Sequence, residues 1–183
     1  MNLENTDELG LHELFCRVPR FVVCEDGRDV QISQEDMRIA VDRLCGGLQK
    51  WGINPGDRIA VWLPNGVPYL SLLWAAARLG VVVVSINTRF RSSEVQDIVG
   101  RSGARLLVMD PSFLGIDFRG ILAQIDNNEL GIEAIVSLAG DVDGPWETVS
   151  WAELSEALPS DVDRCDPDLP WIVFTTSGTS SAP

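Results

Sequence analysis

The feature that most constrains the fold is an alternation of strand and helix patterns that begins at residue 58. Residues 58–63 predict a strand, and a helix with Asn65 as its N-cap then runs to about residue 79. Residues 81–86 form an unbroken apolar run, which is typical of a parallel strand covered on both faces. The series continues with a helix capped by Ser92 and with strands at 106–109 and 132–138, which are separated by a short helix around 118–125. It ends with a last buried strand at 171–175. We therefore expect an α/β fold with a mainly parallel, doubly wound sheet and helices on both faces.

The patterns outside this alternation divide the chain further. Residues 1–57 predict a helix, a hairpin that turns at Asp26-Gly27, and a helix capped by Ser33. Residues 58–158 form the alternating core, which ends in a short helix that opens at Ser150 and carries Leu154 and Leu158 on its apolar side. Residues 159–170 form an acidic connector with three prolines, interpreted as a solvated linker, and residues 171–183 hold the last strand and a polar loop.

Composition excludes several classes of function. The chain has 27 acidic and 14 basic residues and a net charge of −13, which disfavours nucleic acids and anionic membrane surfaces as partners. Four scattered cysteines and one histidine offer no metal-ligand spacing, so we expect reduced thiols, no metal site within the chain and a cytoplasmic location. The most apolar stretch, residues 69–86, contains Arg78 and Gly80, so no transmembrane segment is predicted.

The loop after the last strand carries the clearest chemical signal. Its members are small or bear hydroxyl groups: Thr176, Ser177, Gly178, Thr179, Ser180 and Ser181. Glycine allows close backbone approach, and hydroxyl and N–H groups can converge on phosphate oxygens without adding charge. Ligands of parallel α/β sheets bind beyond the carboxyl ends of the strands, where this loop is expected. Composition alone supports a polyphosphate clamp and a flexible Ser/Thr tail about equally, and no Walker A sequence occurs.

Residues 173–183 resemble the T-S-G-T-T-G-x-P-K signature of the AMP-forming adenylate ligases, which include acyl-CoA synthetases. Ser180 and Ser181 stand where that family commonly has threonine and glycine. Further resemblances follow in the family's order: Gly56-Asp57-Arg58, Leu63-Pro64-Asn65, the set Asn87, Arg89 and Glu94, and Ser102-Gly103-Ala104-Arg105. We expect Asn87, Arg89 and Glu94 to brace the sheet edge, since such residues near a helix start often satisfy the backbone.

This resemblance implies a two-step reaction in which ATP activates a carboxylic acid to an acyl-adenylate and a thiol, commonly coenzyme A, then displaces AMP. Thr176, Ser177, Gly178 and Thr179 would hold the β- and γ-phosphates, with Ser180 and Ser181 completing the loop and Mg²⁺ neutralising charge. The chain corresponds to the N-terminal portion of such a fatty-acid-type acid–CoA ligase. No catalytic residue is assigned, and the 183 residues alone are expected to be inactive and to bind none of ATP, Mg²⁺ and coenzyme A tightly.

Two other interpretations remain open. The chain could act as a non-catalytic interaction module derived from the same family, or as a different nucleotide-binding α/β domain with a similar loop. An exposed apolar patch around the last strand is also expected, and with it a tendency to self-associate.

Overall fold

The computed structural model describes residues 11–25, 27–166 and 168–175. The described chain begins with helix α1 (Leu11–Arg17) and an antiparallel hairpin of β1 (Arg20–Glu25) and β2 (Arg28–Ser33). Helix α2 (Gln34–Lys50) follows, and the Ser33 hydroxyl accepts a hydrogen bond of 3.0 Å from the Asp36 N–H. The helix–hairpin–helix order at the start of the chain is thus confirmed, with the predicted N-cap of α2.

A six-stranded sheet forms the centre of the molecule. Its order is β7-β6-β5-β3-β4-β8, and all five neighbouring pairs are parallel. This arrangement confirms the α/β fold class with its parallel sheet and small separate hairpin. The remaining elements are β3 (Arg58–Trp62), α3 (Val67–Leu79), β4 (Val82–Ser85), α4 (Ser92–Ser102), β5 (Leu106–Met109), a 3₁₀ turn (Phe113–Gly115), α5 (Phe118–Leu122), α6 (Asn127–Leu130), β6 (Ala134–Ser137), β7 (Glu147–Ser150), α7 (Trp151–Ser155) and β8 (Ile172–Phe174).

The two faces of the sheet carry separate cores, because side chains alternate along each strand. Ile59 and Val61 of β3 pack with α2, α3 and α7 on one face. Ala60 and Trp62 of the same strand pack with α4, α5 and α6 on the other. The chain therefore leaves β3 toward one face and leaves β4 and β5 toward the opposite face. Loops that diverge in this way open a crevice at the carboxyl edge of the sheet.

Two predicted helix starts were wrong by one residue. The N-cap of α3 is Gly66 and not Asn65, and no side chain caps this helix. The N-cap of α4 is Arg91 and not Ser92, because the Glu94 carboxylate accepts the Arg91 N–H at 3.1 Å. Helix α7 ends at Ser155, too early to place Leu158 on its apolar side, and Leu158 is 88% exposed.

The last strand and the connector before it also differ from expectation. The last strand was predicted as a buried strand, and an exposed apolar patch was expected around it. β8 lies at the edge of the described sheet, with Val173 43% and Phe174 69% exposed, which agrees with the patch and not with full burial. The connector (residues 159–170) has no regular helix or strand in its described part, as predicted. Its acidic side chains Asp161, Asp163, Asp166 and Asp168 are exposed, as expected of a solvated segment. Its backbone is nevertheless held in place, because the buried Arg78 of α3 donates hydrogen bonds to the carbonyl groups of Ser160 and Val162.

Candidate functional site

A cleft of about 540 Å³ opens at the carboxyl edge of the sheet, where the loops after β3 and β4 diverge. The ends of β3, β4 and β8 all contribute to its wall, together with the hairpin, α3 and the turn after β5. The lining residues are Cys24, Leu63, Pro64, Asn65, Tyr69, Ser85, Ile86, Asn87, Thr88, Phe113, Phe174 and Thr175. The cleft therefore occupies the position in which parallel α/β sheets bind ligands.

Hydrogen bonds fix the polar wall of the cleft. The hydroxyl groups of Tyr69 on α3 and Ser85 at the end of β4 lie 3.0 Å apart. The Trp62 indole N–H donates to the Asn87 carbonyl at 3.2 Å, and the Asn87 side-chain oxygen accepts the Arg89 N–H at 2.9 Å. Because Trp62 is fully buried and stacks edge-on against Phe118 at 4.5 Å, it anchors the loop after β4 to the core.

The cleft is electrically neutral in a protein that is otherwise strongly acidic. Among the described residues that line it, every polar side chain is a hydroxyl, an amide or a thiol. An adjoining cavity of about 320 Å³ shares Asn65 and Phe113 and adds Asp110, whose carboxylate accepts the Ser112 N–H at 2.9 Å. An anionic ligand in the main cleft would meet hydrogen-bonding groups, with no carboxylate lining the described wall.

The six residues predicted to bind phosphate, Thr176 to Ser181, lie outside the described residues. The described chain ends at Thr175, which lines the cleft directly after β8. β8 pairs in parallel with β4, and Phe174 is in register with Ser85. The entry to the predicted loop is therefore at the cleft, whereas the contacts of the loop itself stay a prediction.

Other residues that carry the family resemblance lie at the opposite, amino edge of the sheet. The Arg105 guanidinium forms two hydrogen bonds with the Glu133 carboxylate, at 2.7 and 2.9 Å, and a third with Asp57 at 2.7 Å. These bonds hold the pKa of Glu133 below its ordinary value and raise the pKa of Arg105. Arg58 donates to the Ser102 carbonyl at 3.0 Å, where α4 ends. This set is structural, since it ties the starts of the strands together, far from the cleft.

The side chains of Asn87 and Glu94, which were predicted to brace the sheet edge, make local bonds to the backbone between β4 and α4. Glu94 accepts the Arg91 N–H at the start of α4, and this bond lowers the pKa of the carboxyl group. Asn87 braces the loop after β4 and also lines the cleft. The sequence did not predict that Asn87 lines the cleft, nor that Tyr69 and Ser85 line it. The placement of Leu63-Pro64-Asn65 and of Asn87 directly after two predicted strands was a signal that could have indicated the cleft.

The described residues contain no group of three or more histidine, cysteine, aspartate or glutamate side chains able to hold a metal ion. Within the same residues, none of the helices has both the length and the apolar character that a membrane crossing needs.

The fold and this cleft define a ligand-binding α/β domain of the doubly wound class. The sequence model of the family described as AMP-binding enzyme matches residues 16–183, and the chain belongs to that family. It is 38% identical over 103 residues to the long-chain-fatty-acid–CoA ligase FadD13 of Mycobacterium tuberculosis, a match that covers 56% of this chain and 20% of that protein. It is also 28% identical over 155 residues to the salicyl-AMP ligase / salicyl-S-ArCP synthetase of the same organism. This match covers 83% of this chain and 26% of that protein.

Comparison with a solved structure also places the chain in this family. Acetoacetyl-CoA synthetase from Streptomyces lividans superposes with a TM-score of 0.72 at 26% identity, covering 84% of this chain and 25% of that one. The chain thus spans about a quarter or less of the length of these relatives. It carries the N-terminal portion of the family's fold.

Proposed function

We propose that the chain supplies the phosphate-binding part of an AMP-forming acid–CoA ligase of the fatty-acid type. The observation that carries this proposal is the position of Thr175: it lines the neutral cleft at the carboxyl edge, and the residues that follow it resemble the family's loop sequence. Membership of the AMP-binding enzyme family supports the same conclusion.

In the proposed reaction, a carboxylate oxygen attacks the α-phosphorus of ATP, and the bond to the bridging oxygen of pyrophosphate breaks. The sulfur of a thiol, proposed to be coenzyme A, then attacks the acyl carbon, and AMP leaves. Thr176, Ser177, Gly178 and Thr179 hold the β- and γ-phosphates through hydroxyl and N–H donors, and Ser180 and Ser181 complete the loop. Bound Mg²⁺ supplies charge neutralisation at the phosphates.

The described residues fit a phosphate-bearing ligand. The cleft wall next to Thr175 presents the hydroxyls of Tyr69 and Ser85 and the amides of Asn65 and Asn87. Such groups donate hydrogen bonds to phosphate oxygens, and a wall without carboxylates does not repel them. The acid itself is proposed only as a class, because the two curated relatives are named for different acids, a long-chain fatty acid and a salicyl group.

We propose that the 183 residues do not complete adenylation by themselves, since they match only 20% and 26% of the two relatives. The test is acid-dependent exchange of labelled pyrophosphate into ATP. It would be measured for the chain alone and for the product of any coding sequence that continues in frame after Pro183. We expect no exchange from the chain alone, and exchange from the longer product that Thr179→Ala lowers at least tenfold, because a lost transition-state donor costs about 10²–10³ in rate.

Ser93→Ala on α4 is the matched control, because it removes a hydroxyl whose partner is Glu94, outside the cleft lining. Exchange by the chain alone contradicts the proposed inactivity. A longer product that uses no carboxylic acid, or that is indifferent to Thr179→Ala, contradicts the proposed ligase function.

A second proposal, an interaction module without catalysis, is favoured by one observation. β8 presents Val173 and Phe174 at an unpaired edge of the described sheet, which suits association with another chain. Self-association through this edge is compatible with either function. The reduced thiols predicted from the sequence support a cytoplasmic location for both.

A further inference from the structure

We propose that Arg78 and Trp171 are positioning residues for the phosphate loop, because they fasten the connector to α2 and α3 and so fix where β8 ends. The proposal rests on the proposed function for the role of the loop, but the fastening itself is a property of the described residues. Neither side chain lines the cleft.

β8 has little of its own to hold it in place. It has three residues, it pairs with β4 alone in the described sheet, and two of its side chains are exposed. So short a strand at an edge is weakly held by its own pairing. Its register must therefore depend on the chain that precedes it.

Arg78 fastens the first half of the connector. Its side chain is 7% exposed and forms an ion pair with Asp42 of α2 through one terminal nitrogen. The other terminal nitrogen donates to the carbonyls of Ser160 and Val162, at 3.2 and 3.1 Å. Burying an arginine is costly unless its charge is paired and its donors are satisfied. Here the ion pair and the connector carbonyls satisfy both terminal nitrogens, whereas the buried Nε has no hydrogen-bond partner among the described residues.

Backbone contacts follow the same path. The Ser160 N–H donates to the Asp42 carbonyl at 2.9 Å, and the Arg164 N–H donates to the Arg78 carbonyl at 2.6 Å. Gly46 and Gly47 of α2 have no room for a side chain, because a Cβ atom would clash with the Leu158 carbonyl oxygen at Gly46 and with the Leu154 carbonyl oxygen at Gly47. The segment from α7 into the connector is therefore packed directly on α2.

Trp171 fastens the second half. Its indole N–H donates to the Leu73 carbonyl of α3 at 2.9 Å, and its ring lies 5.5 Å from that of Trp74. Its own carbonyl accepts the Val83 N–H at 2.9 Å, one residue before β8 begins. The start of β8 is thus set against both α3 and β4.

Helix α3 links these contacts to the cleft. Arg78 lies in its last turn, Leu73 and Trp74 lie in its middle, and Tyr69 in its first turn lines the cleft, as Thr175 does. Loss of the fastening would let β8 shift relative to Tyr69, and a displacement of about 1 Å is enough to weaken binding or rate by up to about 10².

The test uses the whole chain with two variants, Arg78→Met and Trp171→Phe. Hydrogen exchange is measured at the Val83 amide, which bonds Trp171, and binding of inorganic pyrophosphate is followed by NMR titration. We expect both variants to speed exchange at Val83 and to weaken pyrophosphate binding about tenfold. Trp171→Phe keeps an aromatic ring and removes only one hydrogen bond. This variant therefore tests the proposal even if Arg78→Met does not fold.

Two controls separate positioning from stability. Arg38→Met removes the other ion pair of Asp42, at 2.6 Å, and touches no connector residue among its described contacts. Arg105→Met destabilises the amino edge of the sheet without touching the connector. The proposal is overturned if pyrophosphate binding weakens equally in the two variants and the two controls. It is also overturned if hydrogen exchange at the Val83 amide is unchanged in the variants. A wild-type chain without any pyrophosphate response contradicts the proposed function, whereas exchange at Val83 still decides whether β8 is fastened.

Discussion

At the scale of single residues, the cysteines differ sharply in their surroundings. Cys45 of α2 is fully buried, and its thiol points to the Ala75 carbonyl at 3.7 Å. Burial raises the pKa of the Cys45 thiol to about 12, because the thiolate would lose its hydration. Cys24, in contrast, is exposed and lines the cleft. The chain therefore offers an accessible thiol beside the proposed site and a buried one in its core.

This contrast predicts a pH dependence of stability. The unfolded chain loses the Cys45 proton near pH 9, whereas the folded chain keeps it up to about pH 12. The contribution of the protonated Cys45 thiol to the free energy of unfolding is thus fully present below pH 9 and is lost as pH rises toward 12. Urea unfolding at pH 8 and pH 10 should show wild type losing about 1 kcal/mol more than Cys45→Ala over this interval.

Thiol labelling gives an independent check. At pH 8 we expect iodoacetamide to modify Cys24 in the native chain and Cys45 only after unfolding, as read from peptide masses. Rapid native modification of Cys45, or equal pH slopes for the two proteins, would contradict the burial of this thiol.

At the scale of elements, the strand starts are joined by charged hydrogen bonds. Arg105 at the entry to β5 binds Glu133 before β6 and Asp57 before β3. Because three segments meet at one guanidinium, we expect Arg105→Met to lower the free energy of unfolding by about 1–2 kcal/mol. The matched control is Arg101→Met, whose partner Asp97 is exposed on the same helix, with an expected loss within about 0.5 kcal/mol.

The same site carries an acid dependence. The pKa of Glu133 is lowered by Arg105, so its contribution is present above about pH 4.3 and is lost as pH falls through the folded value. Since the Glu133 side chain is 52% exposed, water screens this contribution, and we expect only about 0.5 kcal/mol from it. In urea unfolding, the free energy of unfolding should decrease less between pH 6 and pH 3 in Glu133→Gln than in the wild type. Identical decreases in the two proteins would count against the pairing of Glu133 with Arg105.

Elements with strong local patterns were predictable, and those that depend on tertiary pairing were not. The apolar run before Asn87 forms β4, and the stripe after Ser33 forms α2. β7 was missed because only Val149 in it is buried, so it lacks an apolar signature. An exposed apolar patch around β8 was expected, but the pairing of β8 with β4 was not, since apolar residues in a strand do not specify its neighbour. The cleft was likewise hidden, because Tyr69, Ser85 and Thr175 meet only when β3, β4 and β8 align.

At the scale of the whole molecule, a net charge of −13 opposes association, whereas the exposed side of β8 favours it. We expect the wild-type chain to show a mass that rises with concentration in light scattering at moderate salt. Val173→Lys should suppress this rise, because a charged side chain blocks pairing at a strand edge.

Val22→Lys in β1 is the matched control, since Val22 is also exposed, at 54%, and the substitution changes the net charge equally. Equal suppression by both variants would indicate a general effect of charge. A wild-type chain that stays monomeric at high concentration would contradict association through β8.

The parallel pairing of β8 with β4 has a consequence for synthesis on the ribosome. β4 ends at Ser85 and β8 begins at Ile172, so one edge of β4 has no partner strand while the intervening chain is made. At the usual rate of about 5–20 residues per second, the roughly 90 residues between them take about 5–20 s to emerge. During that interval the nascent chain presents an apolar strand edge of Val82, Val83 and Val84, which is the kind of segment that chaperones shield.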